Sequence, residues 1–114
     1  MSEDRPLEEL AALLEDETAR RILTEIYREP ASASALSGRC GASKPTVYRR
    51  LEDMRRCDLL VERTRLDTDR GHHHTVYATN LERIVVEIGD DGIDFQVDRR
   101  EPMADRFTRL IGEM

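Results

Sequence analysis

Apolar positions first recur at helical spacing at Leu7, Leu10, Ala11 and Leu14, which predicts a helix over residues 6–15. Asp16 follows, a residue whose side chain can accept backbone N–H bonds at the start of a second helix. That helix carries Ala19, Ile22, Leu23 and Ile26 on one stripe and has to end before Pro30. Ser32 or Ser34 opens a short third helix with Leu36 and Cys40 turned inward. Gly41 ends it, because glycine tolerates the left-handed conformation that closes a helix. A fourth helix, residues 44–57, starts almost at once. Ser43 is a good N-cap, and Pro45 falls in the first turn, where N–H groups have no helical partner to lose. Val47, Leu51 and Met54 lie at i, i+4 and i+7 and form one buried stripe. The other side shows Thr46, Arg49, Arg50 and Asp53, with Lys44 at the start.

After Leu59 the period changes from helical to alternating. Residues 60–67 and 74–80 read as two strands, with TDRGHH and its Gly71 as the turn. Residues 82–88 and 93–98 read as a second hairpin around GDDG, its apolar face carrying Ile84, Val86, Ile88, Ile93, Phe95 and Val97. Pro102 then opens a C-terminal helix with Met103, Phe107, Leu110 and Ile111 on one stripe. The chain of 114 residues suits one α+β domain. Within it, residues 13–79 hold the central helices and first hairpin, and residues 80–114 are a candidate dimerisation element.

Charge adds a second layer. The chain carries 24 acidic and 18 basic side chains, and Lys44 is its one lysine. Residues 1–38 have net charge −5, residues 39–74 net +3 and residues 75–114 net −4. A basic island in an acidic chain points to a local anionic partner. The acidic, Lys-poor, Arg-rich composition looks like that of a protein from a salt-loving organism. The regular apolar pattern argues against disorder.

Other chemistry is sparse. No apolar run approaches a membrane span, and the N-terminus, MSEDRPLEEL, is charged rather than signal-like, so a cytoplasmic protein with no membrane partner is expected. Cys40 and Cys57 form no CxxC or CxC pattern and read as two small buried hydrophobes. No HExxH, P-loop, GxSxG or paired-carboxylate signal is present, so neither an enzyme nor a cofactor is expected. Of His72, His73 and His74, only the first and third could share one ion, because neighbours on a strand point to opposite faces. Asp67 and Asp69 are the nearby acidic ligands for such a site, but a polar hairpin tip is the preferred reading.

Helix, glycine turn, helix and two-stranded hairpin is the order of a winged helix-turn-helix, here with an added C-terminal β-hairpin and helix. LLEDETARRIL (Leu13–Leu23) looks like the entry helices of ArsR-type regulators, and SALSGRCGASKPTVYRRLEDMRRCDLLVERTR (Ser34–Arg65) resembles their helix-turn-helix and first wing strand. The whole chain is similar to small winged-helix transcription regulators of halophilic archaea. Ser37 departs from the pattern, which usually has alanine there. The resemblance implies a double-stranded DNA partner, met by Ser43, Lys44, Thr46, Tyr48, Arg49 and Arg50 on the fourth helix. It places Arg63, Arg65, Arg70 and His72 on the wing. Arg55 and Arg56 lie a turn later, as backbone contacts or surface. Metal-sensing relatives often carry a CxC-type motif before the turn, where this chain has only Cys40. The implied function is sequence-specific regulation, with repression the expected direction and a homodimer the expected form. The first helix and the C-terminal helix, with the second hairpin beneath them, are the expected interface, the alternative being that the last helix covers the apolar hairpin face of its own chain, and no effector is indicated. The alternative is a winged helix used for protein–protein contact, favoured if Lys44, Arg49 and Arg50 pair with Glu52 or Asp53.

Overall fold

In the computed structural model, which describes residues 7–67 and 72–101, four helices precede four strands. They are α1 (Leu7–Glu15), α2 (Glu17–Arg28), α3 (Ala33–Cys40), α4 (Lys44–Arg56), β1 (Leu60–Asp67), β2 (His72–Thr79), β3 (Leu81–Gly89) and β4 (Gly92–Arg99). The chain divides between Thr79 and Asn80 into two compact units. Among the described residues, no helix is long and apolar enough to cross a membrane. The class is α+β, with the helices first and the hairpins after, as the change of hydrophobic period predicts.

In the first unit α2 and α3 each start at a side-chain cap. Asp16 accepts from the Ala19 N–H at 2.7 Å, and Ser32 accepts from the Ala35 N–H at 3.2 Å. The third helix therefore starts from Ser32 rather than Ser34. The core closes around Ile22 and Ile26 of α2, Leu36 of α3, Val47 and Met54 of α4, and Leu59. On α1 the buried residues are Leu10 and Leu13, whereas Leu7 and Ala11 are exposed. The leucines at 7, 10, 13 and 14 allow two overlapping stripes. The one that wins is turned toward both α2 and α4, the two helices α1 packs on. Asp58 takes a left-handed φ of 56° after α4, and the Leu59 N–H reaches back to the Met54 carbonyl at 2.9 Å. This closure usually falls to glycine, but a short aspartate tolerates it. It turns the chain directly into β1.

β1 and β2 are antiparallel, pairing Leu60 with Thr79 through Asp67 with His72. Ala31, just before α3, exchanges two backbone hydrogen bonds with Tyr77, at 3.1 and 2.8 Å. This bridge ties the root of the hairpin to the start of α3. In the second unit β3 and β4 pair antiparallel from Leu81–Arg99 to Gly89–Gly92, with an irregularity between Leu81 and Arg83. Asp90 and Asp91 form the turn. The predicted Gly71 turn and C-terminal helix lie outside the described residues.

Candidate nucleic-acid interface

The turn before α4 is built from short side chains. Gly41 stands at a left-handed φ of 63°, which an L-residue adopts only at a cost. Ser37 explains its own departure from alanine: its hydroxyl donates to the Ala42 carbonyl, while the Ala42 N–H donates to the Ser37 carbonyl at 3.2 Å. The serine thus laces the end of α3 across the turn. Ser43 then caps α4, accepting from the Thr46 N–H at 3.3 Å and donating its hydroxyl to Thr46 Oγ1 at 2.9 Å. With Val47, Leu51 and Met54 buried, the helix leaves Lys44, Tyr48 and Arg49 exposed near its N-terminal end. Tyr48 is 55% exposed, so it does not pack inward.

Arg50 does not share that face. It is half-buried and bidentate on Asp16: Nε donates to Oδ2 at 2.9 Å and Nη2 donates to Oδ1 at 3.1 Å. The helical period accounts for the placement. Each residue advances about 100°, so Arg50 sits one step round from Arg49 and lies beside the buried stripe. Asp16 therefore has two tasks, capping α2 and holding the middle of α4. The Arg50 guanidinium holds its carboxyl below the usual carboxylate range, with the Ala19 N–H adding to the effect. A cleft of about 350 Å³ beside this pair is lined by Glu9, Leu13, Asp53 and Cys57 among others.

The acidic residues of α4 are engaged further along the helix. Glu52 accepts from Arg55 at 3.0 and 2.6 Å, and Asp53 accepts from Arg56. The Arg55 guanidinium lowers the pKa of Glu52. Among the described residues, Lys44 and Arg49 make no ion pair with Glu52, Asp53 or any other carboxylate.

The first hairpin presents two chemically different faces. Register places Arg63 opposite Val76 and Arg65 opposite His74, so Arg63, Arg65 and His74 share one face. Arg65 and His74 line a shallow groove of about 220 Å³ together with Ser32, Ala35 and Arg39 of the α3 region. The other face carries Glu62 and Tyr77. Burial raises the Tyr77 phenol, and the nearby Glu62, Tyr48 and Glu52 add to it, which puts this face beside α4. The structure leaves Ser43, Lys44, Tyr48 and Arg49 exposed and Thr46 half-buried at and near the N-terminal end of α4. It sets Arg65, with Arg39, around a separate groove. Arg70 and the side chain of His72 lie outside the described residues. Arg39, a lone charge at the end of α3 in the sequence, joins the basic surface only through the fold.

Among the described residues, no three His, Cys, Asp or Glu side chains are grouped to hold a metal ion. Cys57 is buried, but Cys40 is only half-buried, short of the inward position expected for it. Burial pushes the Cys40 thiol up, the opposite of what a reactive thiolate needs. A family model described as a helix-turn-helix domain matches residues 6–63. No curated protein matches the sequence.

Proposed function

The chain belongs to the helix-turn-helix domain family, and from that premise we propose that it is a sequence-specific, DNA-binding transcription regulator that acts as a repressor. The observation that carries this reading is the exposed N-terminal face of α4, where Lys44, Tyr48 and Arg49 stand without a carboxylate partner. A major groove admits one helix, and the second helix of such motifs enters it by its N-terminal residues. Arg49 is the residue for a guanine edge, where a guanidinium can bridge two acceptors. Lys44, Ser43 and Thr46 suit phosphates, and Tyr48 suits a sugar or a thymine methyl. Arg50 is left out of the contact set, because its guanidinium is already spent on Asp16. Arg63, Arg65 and Arg70, with His72, are the wing contacts of this proposal.

One helix reads only a few base pairs, so a specific site calls for two half-sites and a homodimer. The acidic total is compatible with this if the protein works in molar salt. There the screening length falls to about 3 Å, so repulsion between net charges fades while contacts at hydrogen-bond distance remain. The test is recovery of native genomic fragments by the purified protein in molar potassium chloride. Reproducible enrichment of a few fragments sharing a two-half-site sequence is expected. Enrichment of nothing by a folded protein would contradict the proposal and favour a protein-contact role.

A further inference from the structure

The shallow groove between α3 and the first hairpin holds two guanidiniums that the chain does not match. Arg39, in the last turn of α3, and Arg65, on β1, both line it, and both are exposed. His74 lines it beside Arg65, its partner in the β1–β2 register. Other arginines find carboxylates: Arg50 meets Asp16, Arg55 meets Glu52, and Arg83 meets Asp98. Among the described residues, Arg39 and Arg65 pair with none, although Glu29 also lines the groove. Ser32 lines it too, and its oxygen accepts from the Ala35 N–H, which leaves its O–H to donate. Donors from α3, its cap and β1 thus share one groove with no carboxylate paired to them.

We propose that one phosphodiester of the DNA backbone sits in this groove, held jointly by Arg39 and Arg65. The inference rests on the DNA-binding reading above and deepens it. Arg39 joins the contact set, and Arg65 works with α3 rather than as a wing contact by itself. The anchor is blind to sequence, because a phosphate carries no base information. It fixes the register of the duplex that Arg49 then reads.

Three observations select that occupant. The first is chemistry. Guanidiniums hold phosphate oxygens through charge-assisted hydrogen bonds, and two of them on separate elements can grip one phosphate together. The second is size. The groove's volume of about 220 Å³ falls below the roughly 300–1,000 Å³ of pockets that enclose a small molecule. It suits a group that projects from a larger partner. The third is place. In a helix-turn-helix the first helix crosses the DNA backbone while the second enters the major groove, and α3 is that first helix. The Ala31–Tyr77 bridge fixes the hairpin to the start of α3, so Arg39 and Arg65 stand on one frame. The hairpin's other face, with Glu62 and Tyr77, has no arginine among its described residues.

The experiment uses the full chain in molar potassium chloride. Affinities of the parent, Arg39→Ala, Arg65→Ala and the double variant would be measured on an enriched genomic site and on an unrelated duplex of equal length. Each single variant should keep the parent's melting temperature and lose roughly fivefold on both duplexes alike. Because both arginines hold one phosphate, the double variant should lose less than the product of the two single losses. Parent-like affinity of Arg39→Ala on both duplexes would overturn the proposal while the DNA-binding reading stood. A loss confined to the enriched site, or a double loss equal to the full product, would overturn it as well. A parent that binds neither duplex would remove the DNA-binding reading and this proposal with it. Side-chain nitrogen-15 spectra separate the sources of phosphate. The Arg39 and Arg65 Nε–H signals should move together with the duplex and stay in place with inorganic phosphate alone. Equal movement with inorganic phosphate, beside unchanged DNA affinity of the variants, would overturn the proposal in favour of a small phosphorylated ligand.

Discussion

At the scale of residues, Asp16 and Arg50 separate what a sequence shows from what it withholds. Asp16 was readable as a helix cap, because capping is local and the apolar stripe of α2 starts just after it. Its second partner lies 34 residues away, and a lone arginine on an amphipathic helix gives no sign of which carboxylate it will meet. Arg49 and Arg50 are adjacent and chemically identical, yet the helical period sends one outward and the other onto Asp16. Their substitutions should differ accordingly. Arg50→Ala should cost about 1 kcal/mol, as a half-buried bidentate pair would, and lower the melting temperature by several degrees. Arg49→Ala should leave the melting temperature unchanged, which thermal denaturation of both variants would check. The pair also carries a pH signature. Arg50 depresses the folded-state pKa of Asp16, so its stabilisation is present above the unfolded value near 3.8 and is lost as pH falls through the folded value. Asp16→Asn keeps a capping oxygen but removes the charge. Its stability curve should therefore fall less steeply than the parent's below about pH 4 in acid titrations followed by circular dichroism.

At the scale of elements, the helices and strands were legible because each has its own punctuation. Ser32, Gly41, Ser43 and Pro45 mark ends whose chemistry is local, and the change from a period of 3.6 to 2 marks the start of the hairpins. Two closures were not legible. Asp58 ends α4 in a left-handed conformation where glycine would be the usual signal. Ser37 stands where the related pattern has alanine, and only the folded turn shows its hydroxyl on the Ala42 carbonyl. The α1 stripe read from the sequence, Leu7, Leu10, Ala11 and Leu14, shares only Leu10 with the buried pair Leu10 and Leu13, because a nine-residue helix with four leucines offers more than one face. The turn makes a quantitative prediction. A methyl group at Gly41 would meet nothing within 4 Å, so Gly41→Ala is opposed by backbone conformation alone. That substitution should cost about 1–2 kcal/mol in urea denaturation, with no change in the slope of the transition.

At the scale of the whole molecule, net charge and local charge point in opposite directions. The total is −6, yet residues 39–74 are net +3, and Lys44 and Arg49 are both exposed near the N-terminal end of α4. Counterion release dominates DNA binding for basic proteins and makes affinity fall steeply with salt. A protein that relies on a few contacts at hydrogen-bond distance and is repelled at long range should behave differently. Between about 0.5 and 2 M potassium chloride, where the screening length is only a few Å, its affinity for a specific site should stay level or rise. Titrations across that range would read the slope directly, and a steep loss would count against the salt-adapted reading. The central claim is that the exposed N-terminal face of α4 reads DNA. Its most direct test is fluorescence anisotropy on an enriched genomic site in molar potassium chloride, comparing the parent chain with Arg49→Ala. A loss of at least tenfold in affinity for that site, with unchanged folding and little change on unrelated DNA, is expected. Equal affinity of the two proteins for the site would contradict the claim.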